Sequence, residues 1–235
     1  MKLNEAAQIN SISDEYIMLM DANGNPLKIA KTDLANALAS FVPAIKGEVW
    51  IVYLDSDKNK FLIPWEQWSI SRTDAVGVAI ISSGRRLLIA PHESSLPWSA
   101  VSGAGGAITT TSKATADVDY AGQSNTSKIV TSSAFAEDGD GYAPGYCATY
   151  SNGGLTAGSW WLPSLGELGL IYEKFSAINA ALAKINGATK LERGPYHSST
   201  EFSATHVWTL FFQSGFRGSS TKTTGKYRVR PVTSF

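Results

Sequence analysis

The spacing of apolar and polar positions changes repeatedly along the chain, and each change predicts an element. Near the start, YIMLMDANGNPLKIA is an apolar run, a turn and a second apolar run. Asn23-Gly24 marks the turn, because Asn and Gly tolerate the positive φ that a tight hairpin needs. KTDLANALASF then places Leu34, Leu38 and Phe41 on one helical face, with Thr32 or Asp33 as cap and Pro43 as stop. Residues 1–46 therefore predict a small ββα unit, too short to bury much apolar surface alone. Two further hairpins follow, rich in β-branched residues: Val49–Leu54 with Phe61–Pro64, and Val76–Ile81 with Leu87–Ala90 across Ser83-Gly84.

Between 101 and 160 the pattern dissolves into Gly, Ser, Thr and Asp, which predicts long loops with short ordered pieces. At 164–186 it becomes helical. Ser164 and Glu167 have capping-box spacing, and Leu165, Leu168, Ile171, Tyr172 and Phe175 begin a stripe that runs through Ile178, Ala181, Leu182 and Ile185 to Gly187. One long helix or two short ones fit. From Pro195 strand alternation returns. Trp208, Leu210 and Phe212 predict an inward face, so Thr209, Phe211 and Gln213 should point outward. Phe216 and Arg217 then follow Gly215 into a stretch of Gly, Ser and Thr read as a loop.

Composition narrows the function classes. The chain has 235 residues, 43% hydrophobic and 17% charged, enough to bury a core in one large domain or a domain with an appendage. The 21 Gly, 7 Trp, 9 Tyr and 9 Phe favour strands and loops over helices. Net charge is zero, against nucleic acid as main partner. The basic cluster from Lys222 to Arg230 reads as a solvated strand and turn. Cys147 is the only cysteine, which rules out an intrachain disulfide. No 18-residue apolar run is present, so membrane insertion is not expected. MKLNEAAQINSISDE lacks the apolar segment of a secretory signal, so synthesis in the cytoplasm is expected.

Chemical motifs give little. DSDKNKFLIPWE matches several calcium-loop positions, but Lys60 occupies the one where that loop turns on Gly, so a hairpin turn is the better reading. EDGDGY, with Glu137, Asp138 and Asp140, reads as a polar loop that could hold an incidental cation. GAGG at 103–106 lacks the Lys-Ser/Thr of a phosphate loop. His92, His197 and His206 have no metal-ligand spacing. Ser198 with His206 has no nucleophile elbow around it. Cys147 reads as core in preference to a nucleophile paired with His197. No cofactor is implied. The C-terminal hairpin keeps two readings: a binding surface of rigid aromatics among adaptable small hydroxyl residues, or a polar hairpin that exposes one Phe.

Specific residues carry a resemblance. GSWWLPSLGELGLIY resembles the Trp-x-Leu-Pro-Ser/Thr-x-x-Glu-Leu signature of bacterial and phage domains with the C-type lectin fold, related to the formylglycine-generating type. YHSSTEFSATHVWTLFF and YRVRPV resemble their closing motifs, and DYAGQSNT, YCATY and GVAIISSGRRLLIA other segments, over residues 75–235. One branch of that family comprises the variable proteins of diversity-generating retroelements of phages and gut bacteria such as Bacteroides. There a reverse transcriptase rewrites adenines, mostly in Asn codons, and the fold displays the altered residues to ligands. No Asn occurs after Asn186.

The resemblance implies an α+β C-type lectin fold over 47–235, a variable face at 196–227 and the small ββα unit at 1–46. It implies contact residues His197, Phe202, Thr205, His206, Thr209, Phe211, Gln213, Phe216, Arg217, Ser219, Ser220, Thr221, Thr223 and Thr224. Trp160, Trp161, Trp208, Leu210 and Phe212 would be framework. His197 departs from the family's usual Trp. The oxidase cysteine pair and the Glu-Pro-Asn triplet of calcium-dependent lectins are absent, so neither activity is carried over. DEYIMLMDANGNPLKIAKTDLANAL resembles short modules near the start of phage tail fibres, which are usually trimers. The expected protein is a phage or prophage receptor-binding adhesin, not an enzyme, in the virion tail (alternatively the cytoplasm). Its partner would be a host surface protein or glycan, and it would self-associate as a homotrimer. The rivals are a structural virion or pilus-tip component without variable binding and, third, an enzyme.

Overall fold

A computed structural model describes residues 16–20, 24–30, 49–82 and 84–235. The chain divides into two compact units, Met1–Lys46 and Gly47–Phe235. In the first, β1 (Tyr16–Met20) pairs antiparallel with β2 (Pro26–Ala30) across a turn where Gly24 has φ +83°. This is the expected hairpin. The helix expected after Lys31 lies outside the described residues.

The second unit is α+β, built on two five-stranded sheets. The first contains β3 (Val49–Leu54), β4 (Lys60–Pro64), β5 (Ala75–Ser82), β6 (Arg85–Ile89) and β12 (Val232–Thr233), in the order β12-β6-β5-β3-β4, all antiparallel. The two hairpins read from the sequence are both here. The turn at Asp55 is the plain one: its Oδ1 accepts the N–H of Asp57 (2.9 Å) and of Asn59 (2.8 Å). The second sheet joins β7 (Ser94–Leu96), β8 (Pro195–Glu201), β9 (His206–Phe211), β10 (Phe216–Thr221) and β11 (Tyr227–Val229), in the order β10-β9-β8-β11-β7. It is mixed, because β11 runs parallel to β8.

Among the described residues, five α-helices complete the unit: α1 (Lys113–Asp117), α2 (Gly122–Thr131), α3 (Ala143–Thr149), α4 (Leu165–Glu173) and α5 (Phe175–Leu182). The stretch 164–186 is thus two helices, and α4 opens on the capping box of Ser164 and Glu167. The region expected to be loops holds α1, α2 and α3. Their small residues leave little periodicity, and tertiary bonds set them instead. Buried Asp119 accepts the N–H of Ala121 (2.9 Å), Asn125 Nδ2 (2.9 Å) and Thr200 Oγ1 (2.7 Å). A lone carboxylate holding three donors joins the start of α2 to β8.

Three cores result. The largest lies between one face of the first sheet (Ile51, Val78, Ile80, Ile89), α4 and α5 (Leu165, Leu168, Ile178, Leu182), and the inner face of the second sheet (Tyr196, Trp208, Leu210, Phe212). Trp50, Val52, Leu88 and Trp160 form the second, on the first sheet's other face. Trp98, Ile129, Phe135, Cys147, Leu162, Val207 and Val229 form the third, under α2 and α3.

The basic cluster at 222–230 is not a solvated strand at its two key positions. Lys222 and Arg230 are 0% and 1% exposed. Lys222 Nζ donates to Glu201 Oε1 (2.6 Å) and to the Gly103 carbonyl (2.5 Å), beneath the rings of Trp98 and Phe135. Glu201 Oε1 also accepts the Gly105 N–H (2.9 Å), so the GAGG segment is a strap over a buried ion pair. Arg230 Nη2 and Arg228 Nη1 bond the two oxygens of Glu93 at 2.8 and 2.9 Å. Charge counts along a sequence cannot show this, since each partner comes from a distant segment.

Candidate functional site

Strand register decides which C-terminal residues share a surface. In the β9–β10 pair Phe211 opposes Phe216, Leu210 opposes Arg217, Thr209 opposes Gly218 and Trp208 opposes Ser219. His197 opposes Thr209, and Arg228 opposes Tyr196, which places Tyr227 on the side of His197. Directly opposed residues point to one face. The outer face therefore carries His197, Thr209, Phe211, Phe216, Gly218, Ser220 and Tyr227. The inner face carries His206, Trp208, Leu210, Arg217, Ser219 and Thr221.

The outer face is covered at one end and open at the other. At the covered end Val207 and Val229 pack beneath α2 and α3. At the open end three aromatic rings adjoin: Phe211 and Phe216 at 5.8 Å, Phe211 and Tyr227 at 6.3 Å. Phe216 is 62% exposed. Gly218 lets the rings lie on bare backbone, since a Cβ there would come within 2.9 Å of the Phe216 ring and 3.2 Å of the Phe211 ring. Phe216 and Arg217 lie in a strand, not a loop. The alternation that would have shown this is hidden by the small residues after them.

Three expected contact residues are buried: His197 at 1%, Thr209 at 0% and Ser220 at 7% exposure. The alternation predicts that Thr209 points outward; it does lie on the outer face, opposite Gly218, but is fully buried. His197 is a core residue, tilted against Tyr227 at 5.1 Å. Its Nε2–H donates to the Gly225 carbonyl (3.0 Å), since burial holds the ring neutral and pushes its pKa down to about 4. Its Nδ1 has no hydrogen-bond partner. Thr209 Oγ1 has none either.

Arg217 does not join Phe211 and Phe216. It turns to the inner side, where Nε donates to Asp117 Oδ1 (3.0 Å) and Nη1 to the Gly215 carbonyl (2.6 Å). Near it on that side, Phe202 packs on Trp208 (5.1 Å) and faces His206 (6.4 Å), whose Nδ1 shares a hydrogen bond with Thr205 Oγ1 (2.8 Å). Thr205, Gln213, Ser219, Thr223 and Thr224 are exposed, and Thr221 bonds Thr224 across the turn. The fourteen residues thus do not form one surface: Phe211 and Phe216 make the patch, His197, Thr209 and Ser220 are buried, Phe202, His206, Arg217, Ser219 and Thr221 lie on the inner side, and Thr205, Gln213, Thr223 and Thr224 lie outside the strands. Tyr227 belongs to the patch and was missed; its alternation with buried Val229 on β11 was the available signal.

The framework assignments agree with burial: Trp160, Trp161, Trp208, Leu210 and Phe212 are all buried. Cys147 is core, and burial pushes its thiol well above the usual value. Ser198 Oγ donates to the Trp208 carbonyl (2.7 Å), while His206 is bonded to Thr205. Among the described residues no group of three or more His, Cys, Asp and Glu could hold a metal ion, and no helix is long and apolar enough to cross a membrane.

No family model and no curated protein matches the chain. Among solved structures, it is similar to a fimbrial protein from Bacteroides ovatus, with TM-score 0.60 and 13% identity over 79% of this chain. The match covers 48% of that protein, so this chain spans about half the neighbour's length. At that identity the likeness is one of fold.

Proposed function

We propose that this chain is a surface-appendage adhesin that binds its target through the open end of the outer sheet face. The carrying observation is the exposed Phe216 ring, braced by Phe211 over Gly218 and bordered by Tyr227. Aromatics with two rotatable angles give contact area at low entropic cost. The proposal includes the C-type lectin fold, a tail-fibre setting in a phage or prophage, trimeric self-association and diversification of the face by a retroelement. The sequence motifs at Trp161–Leu168 and Tyr227–Val232 support it. The target would be a host protein or glycan, met by binding without turnover.

The test is capture of host cells by the purified chain. Phe216→Ser should abolish capture while leaving the unfolding temperature unchanged. Capture that survives this change, and survives Phe211→Ser as well, would remove the face from the proposal. A second reading rests on the fimbrial neighbour: a pilus-tip component without a variable face. It predicts differences among relatives spread evenly along the chain, and no reverse-transcriptase gene or near-copy of the 3′ coding segment beside the locus.

A further inference from the structure

The register of the second sheet places one residue from each of its five strands in a single line across the outer face. Tyr227 opposes Leu96, Pro195 opposes Phe211, and Phe211 opposes Phe216. Because β11 runs parallel to β8 with Arg228 beside Tyr196, Tyr227 falls beside Pro195. From one sheet edge to the other the line reads Leu96, Tyr227, Pro195, Phe211, Phe216, and every member is apolar or aromatic. At the usual strand spacing it is about 19 Å long. Phe216 is exposed and the other four are half-buried. The aromatic patch is thus one end of an apolar line that crosses the whole sheet.

Two features of this line separate a protein target from a glycan. The first is polarity. A pyranose brings several hydroxyls, and each one that loses water on the complex needs a hydrogen bond in return. The line offers one polar side-chain group, the Tyr227 hydroxyl. The next row consists of His197, Thr209 and Gly218, and its two polar side chains are 1% and 0% exposed. Neither row carries a carboxylate, an amide or a guanidinium. The second feature is ring tilt. The Phe211 ring lies 54° from the plane of Phe216 and 62° from that of Tyr227. It shares a plane with neither neighbour, so no flat platform for successive sugar rings runs along the line. Aliphatic and aromatic side chains pack against tilted rings and need no hydrogen bond to do so.

We propose, resting on the adhesin reading above, that the target is a polypeptide whose apolar side chains lie along this line. Burial of apolar surface, and not charge, then holds the complex together.

The host cells of the capture test serve as the probe for the full chain. Before capture they are treated either with proteinase K or with periodate, which cleaves the vicinal diols of glycans; loss of lectin staining checks the oxidation. Capture should fall about tenfold or more after proteinase K, the loss expected when the main anchor contact is removed, and should be unchanged after periodate. It should also not fall in about 1 M NaCl, where charge pairs are screened. Capture that survives proteinase K, or is lost to periodate, while still depending on Phe216 overturns the polypeptide target and leaves the adhesin face standing. Loss of capture in the high-salt buffer overturns the apolar contact. Capture that depends on neither Phe216 nor Phe211 removes the face itself, and this target with it.

Discussion

At the scale of single residues, the aromatic patch adjoins a buried polar side chain, His197, which tilts against Tyr227. His197 is buried and neutral, with its pKa held near 4, whereas an unfolded histidine titrates near 6.5. The unfolded chain therefore binds the extra proton first. The stability this neutrality gives is complete above about pH 6.5 and is lost as the pH falls toward 4. The loss should approach about 3 kcal/mol, read as unfolding free energy between pH 7 and pH 4, and His197→Phe should remove that slope. Phe216→Ser should shift stability by no more than about 0.5 kcal/mol, because the ring is mostly in water. Its effect on target binding should be tenfold or more, measured by surface capture. Lys222 carries the opposite expectation. Lys222→Met leaves Glu201 buried without its cation and should cost about 3–5 kcal/mol in chemical denaturation. Adding Glu201→Leu should recover part of that loss, because no uncompensated charge then remains.

Elements divide by how local their causes are. The hairpins of the first sheet and the start of α4 were legible because neighbours in sequence fix them: β-branched runs, a turn at Asp55, a cap at Ser164. In α4 the Ser164 Oγ also donates to the Asp119 carbonyl (2.7 Å), and its N–H donates to Glu167 Oε2 (2.9 Å). Ser164→Ala should therefore cost about 1–2 kcal/mol, at the upper end for a helix cap, seen as a lowered unfolding midpoint. By contrast α1, α2 and α3 fall where the pattern predicts only long loops with short ordered pieces, and β10 where it predicts a loop. In α2, Asn125 and Thr126 face inward to Asp119 and to the Leu162 backbone, so its buried side is polar and gives no hydrophobic stripe. In β10, Gly218, Ser219 and Ser220 have no strand signature of their own. Pairing with β9 defines that strand, and pairing also decided that Arg217 turns toward Asp117 while Phe216 turns out. The candidate site was legible as a list of residues, but not as a surface, because the division of a strand into faces depends on what packs beneath it.

On the scale of the whole molecule, the described cores all lie within the second unit. Every residue of the three cores lies at or after Val49. The second sheet, the aromatic patch and the buried ion pair of Lys222 and Glu201 all follow that point. A chain beginning at Gly47 contains all three of these cores and should unfold cooperatively by itself, seen as one transition in calorimetry. Self-association should behave differently. A 46-residue unit cannot stabilise itself by burial alone, and packing of identical copies is the economical remedy. Light scattering should then give a trimer for the full chain and a monomer for the chain from Gly47. Capture of host cells by that monomer should weaken through lost multivalency, while its affinity for an isolated target molecule stays unchanged. A trimer that persists without residues 1–46 would move self-association to the second unit, and the edges of its sheets, β4 and β10, would be the first surfaces to test for it.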